Sequence, residues 1–174
     1  MNISMKIFFL YFLIILSVLS LQTSYADRIV SSQQLVEDLY GDLVVISMKE
    51  LSTDEQETKL KNLFEKYVDI PIIARAVLGK SWREANSDQR KRFIDAFKGY
   101  VSNKYGRQFS EFKGTTLEIV KSRDTLTKAG VLVSTEVVVP GNPPLKVVWQ
   151  ISDGSGALKL VDLRVEGISM LSTE

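Results

Sequence analysis

From Ser31 to Phe112 the apolar side chains recur at helical spacing, and from Thr115 onward the period drops to two. The chain therefore reads as helices first and strands afterwards. Leu35, Val36, Leu39, Leu43 and Ile46 define a first helix, with Ser31 or Ser32 as its expected cap and Gly41 weakening it by about 1 kcal/mol relative to alanine. Leu60, Leu63, Phe64, Tyr67 and Val68 define a second. Its start is a capping box made either of Ser52 with Glu55 or of Thr53 with Gln56.

The stretch 67–112 organises the rest. Asp69 is the expected cap of a short third helix from Ile70 to Leu78, with Pro71 tolerated in its first turn and Gly79 closing it. Arg75 is its only charge, so the helix is expected to be buried on most sides. Arg75 then reads as a paired structural arginine, or alternatively as a ligand contact. Gly79 to Asn86 reads as a tight turn carrying Trp82. Ser87 is the expected cap of a long helix reaching Phe112. On it Phe93, Ile94, Phe97, Tyr100, Val101 and Tyr105 fall within roughly 140° of arc, a stripe that needs a wide partner.

Four strands supply that partner. Leu117 and Ile119, then Val131, Val133, Val137 and Val139, then Leu145, Val147, Trp149 and Ile151 each share one face. The fourth strand, Leu158 to Glu166, puts Val161, Leu163 and Val165 on one face. Asp162, Arg164 and Glu166 fall on the other, as a salt-bridged solvent surface. Leu158 and Leu160 are out of phase with this pattern, which predicts a bulge near Leu160. The turns at 124–130, 140–144 and 153–156 are short, so neighbours are expected to pair antiparallel. The expected fold class is α+β, with three to four helices packed on one face of a four-stranded antiparallel sheet in a half-open, NTF2-like cone.

A length of 174 residues with 45% apolar content suits one domain with a substantial core. Residues 1–26 are set apart as an expected cleaved secretory signal peptide. Lys6 gives a positive start, Ile7 to Leu21 is apolar apart from Ser17 and Ser20, and Ser24 and Ala26 are the small residues at a cleavage site. The apolar run is shorter than the roughly 20 residues of a permanent membrane span. Residues 27–174 then form a single domain, with a helical half at 27–113 and a sheet half at 114–174. Beyond the leader the chain has 21 basic and 21 acidic side chains, so general attraction to nucleic acid is not expected.

Neither histidine nor cysteine occurs anywhere in the sequence. This removes Ser-His-Asp and Cys-His nucleophiles, the usual zinc sites, haem or iron-sulfur ligation, and disulfides. No glycine-rich phosphate loop is present, and no metal or cofactor is expected. Arg90, Lys91 and Arg92, just inside the long helix, are either a solvated face or an anion site shared with the helix amides. What remains is apolar space. Ile73, Val77, Phe93, Phe97 and Val101 face Val133, Val147, Trp149 and Leu163, as a solid core or as walls parted around a greasy ligand.

The segment Val68 to Gly79, followed by Trp82-Arg83, Gln89-Arg90, Phe93 and Ala96-Phe97, resembles the MlaC family of periplasmic phospholipid-binding proteins, also called toluene-tolerance proteins. Val161-Asp162 and Val165 to Met170 are similar to that family's closing strand. The resemblance implies a soluble periplasmic carrier without catalysis, moving phospholipid between the outer membrane and an inner-membrane ABC transporter and so maintaining outer-membrane lipid asymmetry. Implied partners are phospholipid acyl chains, held by the nine apolar residues just named, the transporter complex, and an outer-membrane lipoprotein/porin complex. Arg90, Lys91 and Arg92 become candidate contacts for a headgroup or a partner. A hopanoid-type carrier shares these motifs. A protein-protein adaptor with a solid core and a ketosteroid-isomerase-like enzyme are alternatives from other classes. The family pattern continues into a further helical segment past the closing strand, whereas this sequence stops at Glu174. Either a truncated product or the loss of one pocket wall is therefore expected, with tight lipid retention affected and the fold not.

Overall fold

In the computed structural model, which describes residues 26–106 and 109–173, the first helix, α1, occupies 26–47. The leader expected over 1–26 lies, but for Ala26, outside the described residues. α1 starts earlier than its apolar stripe suggests, because Ser32 is not a cap. Fully buried, its hydroxyl donates to the Arg28 carbonyl one turn back, a bond made from within a helix.

α2, Thr53–Tyr67, starts at the first of the two expected capping boxes. The Ser52 amide donates to Glu55 Oε2 at 2.9 Å and the Glu55 amide to Ser52 Oγ at 3.4 Å. At the other end Lys159 donates to the Glu65 and Lys66 carbonyls, which the helix leaves without intrahelical partners. α3, Ile70–Leu78, is capped by Asp69, whose Oδ1 accepts the Ile72 amide at 3.1 Å. α3 is less enclosed than its composition suggests, with only Ile70 and Ala74 buried. Arg75 is correspondingly exposed and makes no ion pair among the described residues, so the expected structural pairing is not found.

The expected tight turn at 79–86 contains a short helix, α4, Lys80–Glu84. Gly79, at φ 56°, turns the chain so that a new helical turn follows at once. α5, Ser87–Gly106, is capped by Asn86 rather than Ser87. The Asn86 amide donates to Gln89 Oε1 and the Gln89 amide to Asn86 Oδ1, both at 2.9 Å. The helix ends before Phe112, and Phe109–Phe112 forms a separate 3-10 turn.

Among the described residues five strands, one more than expected, form an antiparallel meander in chain order. They are β1 Thr116–Asp124, β2 Val131–Val138, β3 Leu145–Ser152, β4 Lys159–Val165 and β5 Ile168–Ser169. β5 is only two residues long and offers no alternation to read. It pairs back onto β4 through Val165 with Ile168 and Arg164 with Ser169. The predicted bulge is present: Gln150 pairs with Asp162 and Ile151 with Leu160, leaving Val161 as the extra residue. Gly130, at φ 80°, lies so close to β3 that a Cβ there would collide with the Ile151 carbonyl.

On β2, Val131, Val133, Thr135 and Val137 are buried while the residues between them are not, so the helices cover one face of the sheet. Val36 and Leu39 of α1, Leu60 and Leu63 of α2, and Phe97 and Val101 of α5 share one core with that face. Polar contacts fix the helices over it. Arg28 donates to Asp124 at 3.3 Å and to Asp153 at 2.9 Å, tying the start of α1 to the ends of two hairpins. Asp42 accepts from Tyr67 at 2.7 Å and from Lys66 at 3.1 Å, joining α1 to α2. The Asp69 amide donates to the Leu160 carbonyl at 2.9 Å, fastening the α2–α3 junction to β4.

Candidate functional site

The interior between helices and sheet is not filled. A cavity of about 500 Å³ lies there, so the walls are parted and the solid core is not what is found. On the sheet side it is lined by Val137, Val147, Trp149, Leu163 and Val165. On the helix side Leu39, Tyr40, Phe64, Ile73, Phe97 and Val101 face it. Valines project little from the sheet, and the helices are pinned at their ends by polar contacts, so the middle does not collapse to ordinary interior density.

Six of the nine expected lining residues border this space: Ile73, Phe97, Val101, Val147, Trp149 and Leu163. Val133, Val77 and Phe93 do not. Val133 is fully buried in the core, Val77 packs half-buried against it, and Phe93 stacks on Phe97 with ring centroids 5.9 Å apart. The sequence reading missed the contributions of α1 and of the C-terminal return, where Leu39, Tyr40, Met170 and Leu171 complete the wall. The α1 stripe was visible, but nothing local told which of its residues would face empty space.

Glu111 borders this apolar lining at its exposed side, and the polar groups deeper in it are taken up by the protein itself. Trp149 Nε1 donates to Thr135 Oγ1 at 2.9 Å, and Thr135 Oγ1 donates to the Val147 carbonyl at 3.2 Å. Tyr40 and Thr115 share a short hydroxyl–hydroxyl bond, and Thr115 also donates to the Phe112 carbonyl at 2.9 Å. Burial raises the Tyr40 phenol above its ordinary value, with the Thr115 bond pulling the other way. The surface left for a guest is mainly hydrocarbon.

The buried carboxylates hold structure. Asp69 caps α3, and Asp124 accepts the Leu126 amide at 2.8 Å as well as Arg28. Asp162, expected on a solvent surface, is 7% exposed. It accepts from Ser169 Oγ at 2.8 Å and from the Leu163 and Leu171 amides at 2.9 and 3.2 Å. Alternation along β4 pointed it outward, but the C-terminal return folds over it. The expected ion pair with Arg164 is present, its Nε donating to Asp162 Oδ2 at 3.3 Å, while Glu166 accepts the Lys146 amide at 2.6 Å. Among the described residues no cluster of three or more Asp, Glu, His or Cys side chains is placed to hold a metal ion.

Of the basic triplet, Arg90 is committed locally. Its Nε donates to the Trp82 carbonyl at 2.9 Å and its guanidinium lies 5.3 Å from the Trp82 ring centroid. Lys91 and Arg92 are exposed.

Comparison with known proteins places this geometry. The family model described as MlaC protein matches residues 33–174. The intermembrane phospholipid transport system binding protein MlaC of Haemophilus influenzae is 21% identical over 143 residues, covering 80% of this chain and 67% of that protein. The solved structure of a phospholipid-binding protein from Ralstonia solanacearum, in complex with a phospholipid, aligns with a TM-score of 0.68. The alignment has 15% identity and covers 84% of this chain and 82% of that one, a likeness of fold.

Proposed function

The chain belongs to the MlaC family, and from that premise we propose that it is a phospholipid carrier whose cavity lodges acyl chains. The observation that carries this reading is the cavity of about 500 Å³, walled mainly by valine, phenylalanine and tryptophan, with the Trp149 indole N–H already bonded within the protein. At about 0.8 kcal/mol per CH₂, two acyl chains of ordinary length resist leaving a bilayer by on the order of 20 kcal/mol. A carrier has to offer a comparably dry refuge, and this interior provides one.

The same reading extends to the cell. The protein acts in the periplasm after its leader is removed, between the outer membrane and an inner-membrane ABC transporter, and so sustains outer-membrane lipid asymmetry. An outer-membrane lipoprotein/porin complex is its partner at the other end. Among the described residues no helix is long and apolar enough to cross a membrane. The carrier performs no catalysis, consistent with buried carboxylates engaged by backbone amides and Arg28. Ile73, Phe97, Val101, Val147, Trp149 and Leu163 contact the chains, and Lys91 and Arg92 lie free for a headgroup or a docking partner.

Native mass spectrometry and lipid extraction of protein purified from cells test this directly. Co-purifying phospholipid in about one-to-one ratio is expected; a reproducibly empty protein overturns the reading.

A further inference from the structure

The C-terminal return is a wall of the cavity fastened in part by one carboxylate. After Val165 the chain reverses through Glu166 and Gly167, at φ 50° and 85°. Met170 and Leu171 then line the cavity, and the 3-10 turn Leu171–Thr173 packs against α3. Backbone pairing over β5 covers two residues, too little to hold a strand in place by itself. Beyond it the Met170 amide donates to the Leu163 carbonyl at 2.7 Å.

Asp162 adds side-chain fastening to these. Ser169 Oγ donates to both carboxylate oxygens, at 2.8 and 2.9 Å, and the Leu171 amide donates to Oδ1 at 3.2 Å. The Leu163 amide at 2.9 Å and Arg164 Nε at 3.3 Å hold the carboxylate itself on β4. Charge-assisted bonds of this kind are about twice as strong as neutral ones. They run from the sheet to the residues on either side of Met170.

We propose that Asp162 is a positioning residue for ligand retention: by fastening Ser169 and Leu171 it keeps Met170 and Leu171 closed over the cavity, and loosening it opens that wall to hydrocarbon exchange. This rests on the carrier reading, whose ligand class it deepens by naming the gate. Asp162→Ala removes the fastening. Asp162→Asn keeps an oxygen acceptor for the Leu163 and Leu171 amides, and Ser169→Ala removes only the hydroxyl.

The test loads each protein with a fluorescent phosphatidylglycerol bearing an NBD-labelled acyl chain and follows its release to acceptor vesicles. Release of an anionic amphiphilic dye, 1-anilinonaphthalene-8-sulfonate, whose rings bind apolar surface, and amide hydrogen exchange are measured in parallel. Asp162→Ala should release the lipid at least about tenfold faster, Ser169→Ala less so, and Asp162→Asn should stay within about threefold of wild type. Exchange should quicken at 168–172 while β2 stays protected, which a general loss of folding would not produce.

Unchanged release from Asp162→Ala despite faster exchange at 168–172 overturns the gate. Unchanged exchange overturns the fastening. If Asp162→Ala does not fold, Ser169→Ala decides in the same two ways. If wild type takes up the dye but no phospholipid, the carrier reading fails, and the dye release rates still decide the role of Asp162.

Discussion

Across the β2–β3 ladder, the Trp149 indole donates its N–H to the Thr135 hydroxyl at 2.9 Å, so the largest side chain of the sheet wall shows the cavity carbon. Thr135 is 2% exposed and has no solvent to fall back on. Thr135→Val removes the acceptor and strands the indole N–H. The expected loss is about 1–3 kcal/mol of folding stability, read from urea unfolding, with the cavity still present.

Val133 and Val147 share the inner face of adjacent strands, yet only Val147 borders the cavity. Val133→Ala should cost about 2 kcal/mol of stability while the protein still takes up lipid. Val147→Phe should do the opposite, filling space that a guest needs and lowering lipid occupancy with little change in melting temperature. Val147→Glu, with a charge in hydrocarbon contact, should abolish uptake. Calorimetry and lipid extraction on the same preparations separate the two effects.

Tyr40 should contribute to the alkaline limb of the stability profile. Burial raises its pKa above the ordinary 10.0, and Tyr67 is shifted the same way, also by burial first. The folded state therefore holds these protons more tightly than the unfolded chain. Their contribution is fully present below pH 10.0 and is lost as pH rises through the folded-state values. Unfolding free energies measured from pH 9 to 11 should fall with pH, and in Tyr40→Phe the fall should be shallower, with the Tyr67 part remaining.

Lys91 and Arg92 test the headgroup or partner contact. Reversing both to glutamate should lower the rate of lipid delivery to anionic vesicles about tenfold at low salt, and the difference should shrink as salt rises. Equal rates for variant and wild type would confine these side chains to solvation.

What could be read from the sequence was what is local. Ser52, Asp69 and Gly79 were identifiable because a cap and its partner lie within three or four residues. The same logic, applied one residue earlier, finds Asn86 with Gln89 in place of Ser87. The alternation of β2 and β3 carried through intact, and the misfit at Leu160 located the bulge at Val161. Asp162 was misjudged because its partners, Ser169 and Leu171, come from a return too short to show a period. Arg75 was misjudged because an apolar composition does not say how much of a helix surface a neighbour covers. For the cavity, helical phase told which residues face inward. It left open whether the facing walls touch, which decided Val77, Phe93 and Val133 against Ile73, Phe97 and Val147.

Arg28 finds its two carboxylates 96 and 125 residues further along the chain. A polypeptide emerging N-terminus first can join α1 to α2 through Asp42 early, but the seat of α1 at Arg28 is completed only once the β3–β4 turn has been made. Until the sheet is in place Val36 and Leu39 lack part of their cover. Closure of head onto tail makes early assembly slow, since distant contacts must form before they can stabilise anything. Greasy surface stays unprotected for most of synthesis, the interval in which a nascent chain is most prone to clump with its neighbours and most in need of a holding chaperone.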